Sequence, residues 1–332
     1  MEKGIEIDIF RPQYADGIAR CFRAVYGEGY PIKTFYEPQA LEREFKEGNL
    51  YSVVAIKDSR DIIGVMAIYR SSGVNKNLYE AGAGVVLPEH RGYNISGMLY
   101  GYICEKLTKI TGIEEMFGEA VCNHTKIQRI VLHYGNVETG MEIDLMPAEA
   151  YIKEKSSAGR VSVSIHFLCL KDKPQKIYVP KVYQEEFAFL YEDKKRSRVF
   201  VVSEEKAPTG SVTQGSFRYY DMAQVGRIMI LSMGADIASF LDNYEKDIVS
   251  RGAFISQVFL RLDCPWVGQT VDVLRGKGYF LAGILPRWFD VDGMFMQKVY
   301  GEPNWQDIHL YSWRANKILE MLKKDWGDIY GE

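Results

Sequence analysis

Three side chains in the first half of the chain could accept a proton from a substrate near neutral pH. Glu80 and Glu119 lie on successive predicted strands, and His124 follows the second of them. A general base at such a position would deprotonate an amine before it attacks a carbonyl, and the ordinary pKa of histidine already lies near that range. Each residue also has a structural explanation, either a solvent-facing glutamate or a side chain that satisfies backbone groups at a helix start.

The turn that precedes the helix between these strands has residues suited to an anion. The apolar strand Gly82–Leu87 ends at Pro88, which has no ladder donor, and Gly92 permits a backbone bend that a Cβ would resist. Backbone N–H groups would then face outward at the positive end of a helix dipole, and Arg91 adds a fixed charge. The helix is predicted from apolar residues at helical spacing on one face: Ile95, Met98, Leu99, Tyr102, Ile103, Leu107 and Ile110.

Length and composition limit the classes of protein to which this chain can belong. The chain has 332 residues, which favours two domains, and its 47% hydrophobic and 26% charged residues are typical of a globular protein. A net charge of −3 gives no basic field for nucleic acid. No apolar run approaches a membrane span or a signal peptide, and five scattered cysteines suit a reducing compartment, so we expect a cytoplasmic protein with no membrane partner. No Cys/His cluster has metal-ligand spacing.

The first half alternates strands and helices in a definite order. A strand at Ile5–Phe10 precedes two helices, and β-rich runs at 51–56 and 62–69 predict a hairpin. Further strands are predicted at 78–87, 116–122 and 161–170, with helices at 95–111 and 124–134. The fold class is therefore α+β with a mixed sheet.

The stretch Arg91–Ser96 resembles the pyrophosphate loop of GCN5-related N-acetyltransferases. That family has Arg or Gln, two residues, Gly, one residue, then Gly or Ala, on a turn that opens a helix. Arg91 fits the first position, while Asn94 stands where the family usually has Gly and Ser96 where it has Gly or Ala. Asn tolerates a left-handed backbone better than most residues, and Ser is small. The resemblance identifies Arg91, Gly92, Tyr93, Asn94, Ile95 and Ser96 as coenzyme-binding residues.

A second stretch is similar to bacterial members of the same family. Cys122–Gln128 and Gly135–Met141 resemble a segment in which a His opens the fourth helix and a Gly-aromatic turn leads to Glu-Thr-Gly. Asn123 matches a position whose side chain often bonds the coenzyme, although it could simply cap the helix. In many members a Tyr four residues before that Gly is the general acid. Val131 occupies this position here, so the resemblance supplies no Tyr acid.

The resemblance implies an acetyl-CoA-dependent N-acetyltransferase of the family's acyltransferase fold. A primary amine, on a small molecule or a protein lysine, would attack the thioester directly in a ternary complex. A backbone N–H of Val85 or Val86 would serve the thioester carbonyl, and Glu80 would be the base, with Glu119 and His124 as rivals. Gly82 and Gly84 could mark a bulge that separates this strand from its neighbour, or they are ordinary strand glycines.

The pattern of the first half repeats in the second. We expect a coenzyme-binding domain at 1–172, a degenerate second copy at 173–303, and an amphipathic helix at 304–332 that packs back through Trp313, Ile318, Leu319 and Leu322. A hairpin is predicted from 199–203 and 211–220. Where the first half has its Arg-Gly turn, the second has Met233–Asp236, in which Asp236 would cap a helix and repel phosphate.

Two other functions remain open at this point. One is a non-catalytic acyl-CoA sensor or interaction module of the same fold, which the absent Tyr favours. The other is a dinucleotide-binding α/β enzyme, since a strand, a glycine turn and a helix also serve dinucleotides, but the spacing differs. A homodimer is possible.

Overall fold

A computed structural model describes residues 4–72, 74–147, 159–193 and 195–331. The chain divides into two compact units. The first unit comprises Met1–Gly118 and Ile130–Asn136, and the second comprises Glu119–Arg129 and Val137–Glu332. The predicted boundary near residue 172 follows the sequence repeat rather than this division, and it stays a prediction.

The first unit is built on a mixed sheet, which confirms the predicted fold class. Its strand order is β1-β2-β3-β4-β5. Successive pairs are antiparallel up to β4, whereas β4 and β5 run parallel. The strands are β1 Ile5–Ile9, β2 Leu50–Lys57, β3 Asp61–Tyr69, β4 Leu78–Val86 and β5 Glu115–Val121, of which the last extends past the unit's end at Gly118.

Two helices precede the sheet's second strand and one long helical segment follows β4. The α1 helix buries Ile18 and Phe22 against β3 and β4, and the Phe22 ring stacks on Phe35 at 4.4 Å between centroids. The segment after β4 is helical over the whole predicted range but contains a central π-helical stretch. The helices are α1 Ala15–Tyr26, α2 Pro38–Lys46, α3 Ile95–Tyr102, the π-helix Ile103–Leu107 and α4 Thr108–Thr111.

The second unit contains a larger mixed sheet and a separate parallel pair. The order of the larger sheet is β7-β6-β13-β14-β12-β11-β10, and β8 pairs with β9. Strands β6 and β13 meet at Gly140 and Gly283, where a Cβ on either residue would lie within 2.4 Å of backbone atoms of the other strand. The strands are β6 Val137–Pro147, β7 Arg160–Cys169, β8 Gln175–Pro180, β9 Arg198–Ser203, β10 Gln214–Tyr220, β11 Val225–Ser232, β12 Ile255–Arg261, β13 Phe280–Leu285 and β14 Gly293–Val299.

The strands of the second unit supply more of its buried core than its helices do. Apolar residues of α7 pack with β11, and those of α8 pack with β8 and β9, as their helical spacing requires. The α5 helix has residues in both units. The helices are α5 Lys126–His133, α6 Gln184–Leu190, α7 Ile237–Ser250, α8 Val267–Gly276 and α9 Trp313–Tyr330.

The hairpin predicted from 199–203 and 211–220 is wrong. Both segments are strands, but β9 pairs in parallel with β8, and β10 pairs antiparallel with β11. The connection from 204 to 213 is too long for a tight hairpin turn, so each strand takes a different neighbour. Residue alternation predicted the strands, whereas the choice of partner depended on distant segments.

The C-terminal helix α9 packs on the core of the second unit. Ile318, Leu319 and Leu322 are buried in its core. Asp325 accepts hydrogen bonds from the Tyr183 hydroxyl at 2.7 Å and from the Leu281 N–H at 2.7 Å. Trp313 was expected on the buried face but is 72% exposed, because it is the first residue of α9 and precedes the buried turns.

Candidate functional site

A bulge in β4 changes the direction of the strand just before the candidate turn. Val65 of β3 pairs with Val85, and Ala67 pairs with Gly82, so Met66 stands opposite two residues of β4. One of these is Ala83, whose φ of 52° lies in the left-handed region. An extra residue in one strand bends it and increases its twist. The bulge therefore lies between the two glycines, Gly82 and Gly84, that the sequence marked.

On the side of β4 that faces away from β3, the pairing with β5 ends after Glu80. The parallel pairing with β5 ends at Glu80 and Phe117 among the described residues, while β4 continues to Val86. The Leu87 N–H donates to the Ile63 carbonyl of β3 at 2.9 Å. Because N–H groups alternate in direction along a strand, the N–H of Val86 points away from β3, toward the open edge. The N–H of Gly84 shares that direction, which the sequence did not indicate.

The turn after β4 has two left-handed residues, Gly92 with φ 95° and Asn94 with φ 59°. The sequence predicted that Asn94 would tolerate a left-handed backbone, and its φ lies in that region. In the α3 helix the first intrahelical bond runs from Met98 N–H to Asn94 O, at 3.0 Å. Within the described part of the chain, the N–H groups from Gly92 to Gly97 donate to no protein acceptor. Unbonded N–H groups at the N-terminus of α3, which has eight residues, suit a negatively charged ligand because this is the positive end of the helix dipole.

Arg91 and Gly97 shape this turn further. The Arg91 guanidinium is exposed and donates through Nε to the Val86 carbonyl at 3.3 Å, which ties the turn to the end of β4. A Cβ on Gly97 would lie 2.4 Å from Asn94 Oδ1, so only glycine lets the Asn94 side chain lie over the first helical turn.

The backbone also fits a second alignment of the family pattern. The two left-handed residues, Gly92 and Asn94, are two apart, which is the spacing of the pattern's last two positions. In that register Glu89 takes the place of the Arg or Gln, and Arg91 stands beside the first glycine. Glu89 is exposed, so water screens its charge from the turn.

Glu80 lies where the pairing between β4 and β5 ends. Its Oε1 accepts a hydrogen bond of 2.6 Å from the hydroxyl of Tyr69, its register partner on β3. Both side chains are half-buried. Tyr69 was not singled out from the sequence, because a tyrosine at a strand end carries no functional signal by itself.

The remaining predicted residues lie in the second unit. Glu119 is half-buried on β5, and Asn123 follows that strand with 8% of its surface exposed. His124 is half-buried and precedes α5, which begins two residues later than predicted, at Lys126. Its carbonyl accepts from Gln128 Nε2 at 3.1 Å, so this backbone anchors the Gln128 amide.

Two tyrosines lie against the long helical segment of the first unit. The Tyr134 hydroxyl is 3.3 Å from the Gly97 carbonyl, and its ring approaches Gly101, where a Cβ would be 2.3 Å from the hydroxyl oxygen. Tyr100 donates to Asn136 Oδ1 at 2.9 Å. Burial raises the pKa of the Tyr100 and Tyr134 hydroxyls. Val131 is buried, as expected of an apolar residue on α5.

The aromatic segment from Tyr30 to Tyr36 packs on α1. Tyr30 lies 4.9 Å from Phe22 between ring centroids, and its N–H donates to the Tyr36 hydroxyl at 2.9 Å. Among the described residues, no group of His, Cys, Asp and Glu side chains could hold a metal ion. No described helix has the length and apolar composition needed to cross a bilayer.

No protein-family profile matches the chain, and no curated protein sequence matches it. Several solved N-acetyltransferase structures are similar to about half of it. A spermidine/spermine N-acetyltransferase from Vibrio cholerae is 15% identical over 50% of this chain and 93% of its own, with a TM-score of 0.38. A ribosomal-protein-S5-alanine acetyltransferase from Vibrio fischeri is 14% identical over 52% and 98%, at 0.41. An N-acetyltransferase from Staphylococcus aureus Mu50 is 13% identical over 51% and 100%, at 0.41.

Proposed function

We propose that this chain is an acetyl-CoA-dependent N-acetyltransferase that acts on a primary amine of a small molecule or of a protein lysine. The observation that carries the proposal is the open edge of β4 between Glu80 and Val86, followed by a turn whose N–H groups from Gly92 to Gly97 have no acceptor in the described parts of the chain. An extended acyl donor needs both features, an anion site for its diphosphate and a strand edge for its arm.

The diphosphate would bind at the turn from Arg91 to Gly97. The N–H groups from Gly92 to Gly97 donate to no acceptor among the described residues, and the helix dipole favours negative charge there. Left-handed Gly92 and Asn94 orient the amides outward. The Arg91 guanidinium, which is exposed and tethered only through Nε, would add a charge-assisted hydrogen bond to a phosphate oxygen.

The arm of the donor would run along β4 toward Glu80. Val86 and Gly84 direct their N–H groups to this edge, whereas Val85 directs its N–H to β3. A strand rises about 3.3 Å per residue, so the six steps from Glu80 to Val86 span roughly 20 Å. Of the open-edge amides, Gly84 lies nearer to Glu80. We assign the thioester carbonyl to the Gly84 N–H and the amides of the arm to Val86.

The chemistry is acyl transfer in which the acceptor ammonium loses two protons, one before the attack and one after it. Glu80 takes the proton from the acceptor ammonium, and the amine then attacks the thioester carbonyl, whose oxygen gains negative charge stabilised by a backbone N–H. The C–N bond forms and the C–S bond breaks. The nitrogen of the adduct then gives up its second proton through water to the departing thiolate, since Val131 replaces the tyrosine that serves as acid in the family.

The second copy of the fold is proposed to bind no coenzyme. Its strand pairings repeat those of the first: β10 and β11 are antiparallel, β11 and β12 parallel, as are β3, β4 and β5. At the turn before α7, however, the chain itself occupies the amides. The Gly234 N–H donates to Thr213 Oγ1 at 3.0 Å, and the Ala235 N–H donates to Ser211 at 3.0 Å. We call residues 211–213 the plug.

We further propose a cytoplasmic location, because all five cysteines are free thiols, two of them buried, as suits a reducing compartment. Residue 172 remains our proposed boundary between the tandem copies. Self-association of the chain into a homodimer is open to measurement by light scattering.

The function is tested by titration and by turnover. Calorimetric titration should show one site for acetyl-CoA and none for NAD, and a panel of primary amines should release free CoA thiol. Acetyl-CoA binding without thiol release from any amine would favour the alternative, a non-catalytic sensor, which the valine at position 131 supports. Binding of NAD in place of acetyl-CoA would overturn the proposal.

A further inference from the structure

A short hydrogen bond joins Tyr69 and Glu80 at the open end of β4. The Tyr69 hydroxyl donates to Glu80 Oε1 over 2.6 Å, a length typical of a hydroxyl bonded to a charged carboxylate. The two residues face each other across β3 and β4, so the sheet itself holds them in register. The phenol is therefore carried by rigid backbone rather than by a loop.

Gly82 makes room for this contact. It lies two residues beyond Glu80 on the same face of β4, next to the bulge. A Cβ at this position would lie 2.8 Å from the Tyr69 hydroxyl oxygen and 3.4 Å from Glu80 Oε1. The smallest added side chain would thus displace the phenol. The φ of Gly82 is not positive, so its absent side chain is explained by this space rather than by backbone conformation.

The contact also lies at a particular point of the sheet. Glu80 is the last residue of β4 that pairs with β5 among the described residues, and its partner there is Phe117. The part of β4 that follows contains the bulge. A glutamate side chain has three rotatable bonds and adopts many rotamers when unsupported. Here a hydrogen bond from a neighbouring strand limits those rotamers at the place where the sheet opens.

We propose that Tyr69 is a positioning residue for Glu80, an inference that rests on the proposed acetyl transfer. The phenol keeps its own proton and holds the carboxylate in the orientation that receives the proton from the acceptor ammonium. The same hydrogen bond stabilises the carboxylate over the carboxylic acid. It thereby keeps the base charged at lower pH than an unsupported glutamate on this strand.

The test compares Tyr69→Phe with Glu80→Gln and with Tyr79→Phe as the matched control. Tyr79 neighbours Glu80 in the chain, but its hydroxyl donates to the Gly48 carbonyl at 2.8 Å. Thiol release is measured from pH 5 to pH 9 with saturating acetyl-CoA, and acetyl-CoA affinity is measured by calorimetry. Tyr69→Phe should lower kcat about tenfold, move the acid limb of the rate profile up by about one pH unit, and leave acetyl-CoA affinity unchanged.

Gly82→Ala provides a second, independent displacement of the phenol. It should reproduce the shifted acid limb in the presence of Tyr69, and it should have little further effect once Tyr69→Phe has removed the hydroxyl that the new methyl group meets. In the Glu80→Gln background, Tyr69→Phe should also have little further effect, because the group it positions is gone.

Three results overturn the inference. The first is a Tyr69→Phe enzyme with the wild-type profile, and the second is an equal loss in Tyr79→Phe. In the third, Tyr69→Phe costs as much in the Glu80→Gln background as in the wild type. Failure of the proposed function looks different, since the wild type would then neither bind acetyl-CoA nor release thiol, and the inference would fall with it.

Discussion

Asn94 illustrates how a single residue permits the candidate anion site. Its φ of 59° places it in the left-handed region, where most residues other than glycine are strained. Together with Gly92 it turns the chain so that the first amides of α3 remain unbonded. The Oδ1 atom lies close over Gly97, which explains a glycine inside the first helical turn that propensity alone would disfavour.

The residue types at this turn were readable from the sequence, but their contacts were not. Pro88, Gly92 and Asn94 each have a backbone preference that follows from the residue type alone. Tyr69 has none, because its role comes from a register partner on another strand. The sequence suggested that Gly84 could mark a bulge. The direction of its N–H could be inferred only from the structure, where the Leu87 N–H donates to β3.

His166 is a second residue whose environment determines its chemistry. It lies on β7, opposite Glu138, and both of its ring nitrogens lack a partner among the described residues. Complete burial lowers its pKa from 6.5 to about 3. The native protein therefore keeps the imidazole neutral, which agrees with a structural rather than catalytic role.

This burial predicts a pH dependence of stability. Between pH 3 and pH 6.5 the unfolded chain binds a proton at His166 that the native protein does not, so the unfolding free energy falls as the pH is lowered. From pH 7.5 to pH 5 the loss from this residue is about 2 kcal/mol. The unfolding free energy measured with urea should fall less in His166→Gln than in the wild type over this pH range, and the difference should equal that loss. The exposed His133→Gln serves as control, and an identical slope in both variants would contradict the account.

At the scale of elements, the comparison of two turns is informative. The turn before α3 leaves its amides unbonded, whereas the turn before α7 has its amides taken by the plug. Gly234 is packed against the plug so closely that a Cβ would lie 2.5 Å from the Thr213 nitrogen. Asp236 was expected to cap α7, but its Oδ1 instead accepts from the Thr213 N–H at 2.7 Å.

Asp236→Ala should therefore leave coenzyme binding unchanged. The substitution removes the negative charge at the turn before α7, yet the plug still occupies the Gly234 and Ala235 amides. Calorimetry should give one acetyl-CoA per chain with an affinity within about twofold of the wild type. A second binding event, or a clear drop in affinity, would show that this turn takes part in coenzyme binding.

Element prediction succeeded where a pattern is local and failed where it is not. The strands β1 to β5 and the helical segment from Ile95 to Thr111 follow their periodicity. The π-helical stretch within that segment carries no sequence signal. The hairpin between β9 and β10 failed because parallel pairing with β8 is a long-range choice that no short window contains.

At the scale of the whole molecule, a buried carboxylate adds polar contacts to the apolar face that packs the C-terminal helix. Asp325 of α9 bonds the Tyr183 hydroxyl, the Leu281 N–H and the Arg275 guanidinium. These partners come from three separate parts of the second unit. Burial, with the negative charge of Asp325 adding to it, raises the pKa of the Tyr183 hydroxyl, so the phenol remains a donor to this carboxylate.

Asp325→Ala should destabilise the protein strongly. It would leave the Tyr183 hydroxyl, the Leu281 N–H and a partly buried guanidinium without their acceptor, and breaking such a buried pair costs about 3–5 kcal/mol. Asp328→Ala, one turn of helix away on the exposed side, should change the unfolding free energy by less than about 0.5 kcal/mol. Equal urea midpoints for the two variants would contradict an anchoring role.

The two-domain organisation predicted from the sequence stays a prediction, and the division by compactness falls elsewhere in the chain. The sequence repeat divides the chain near residue 172, whereas β6 and β7 belong to the second compact unit. Length and hydrophobic content predict that one core is not enough. They do not predict which strands each core recruits, because β6 meets β13 through two glycines whose close approach depends on the assembled sheet.

The central claim, that the turn around Gly92 binds the diphosphate of acetyl-CoA, is tested most directly by calorimetric titration of Arg91→Glu beside Arg60→Glu. Arg60 is an exposed arginine in the connection between β2 and β3, so its reversal makes the same change in net charge. The account predicts that Arg91→Glu weakens acetyl-CoA binding at least about 30-fold and that Arg60→Glu changes it less than about twofold. Unchanged affinity in Arg91→Glu, or equal weakening in both variants, would contradict it.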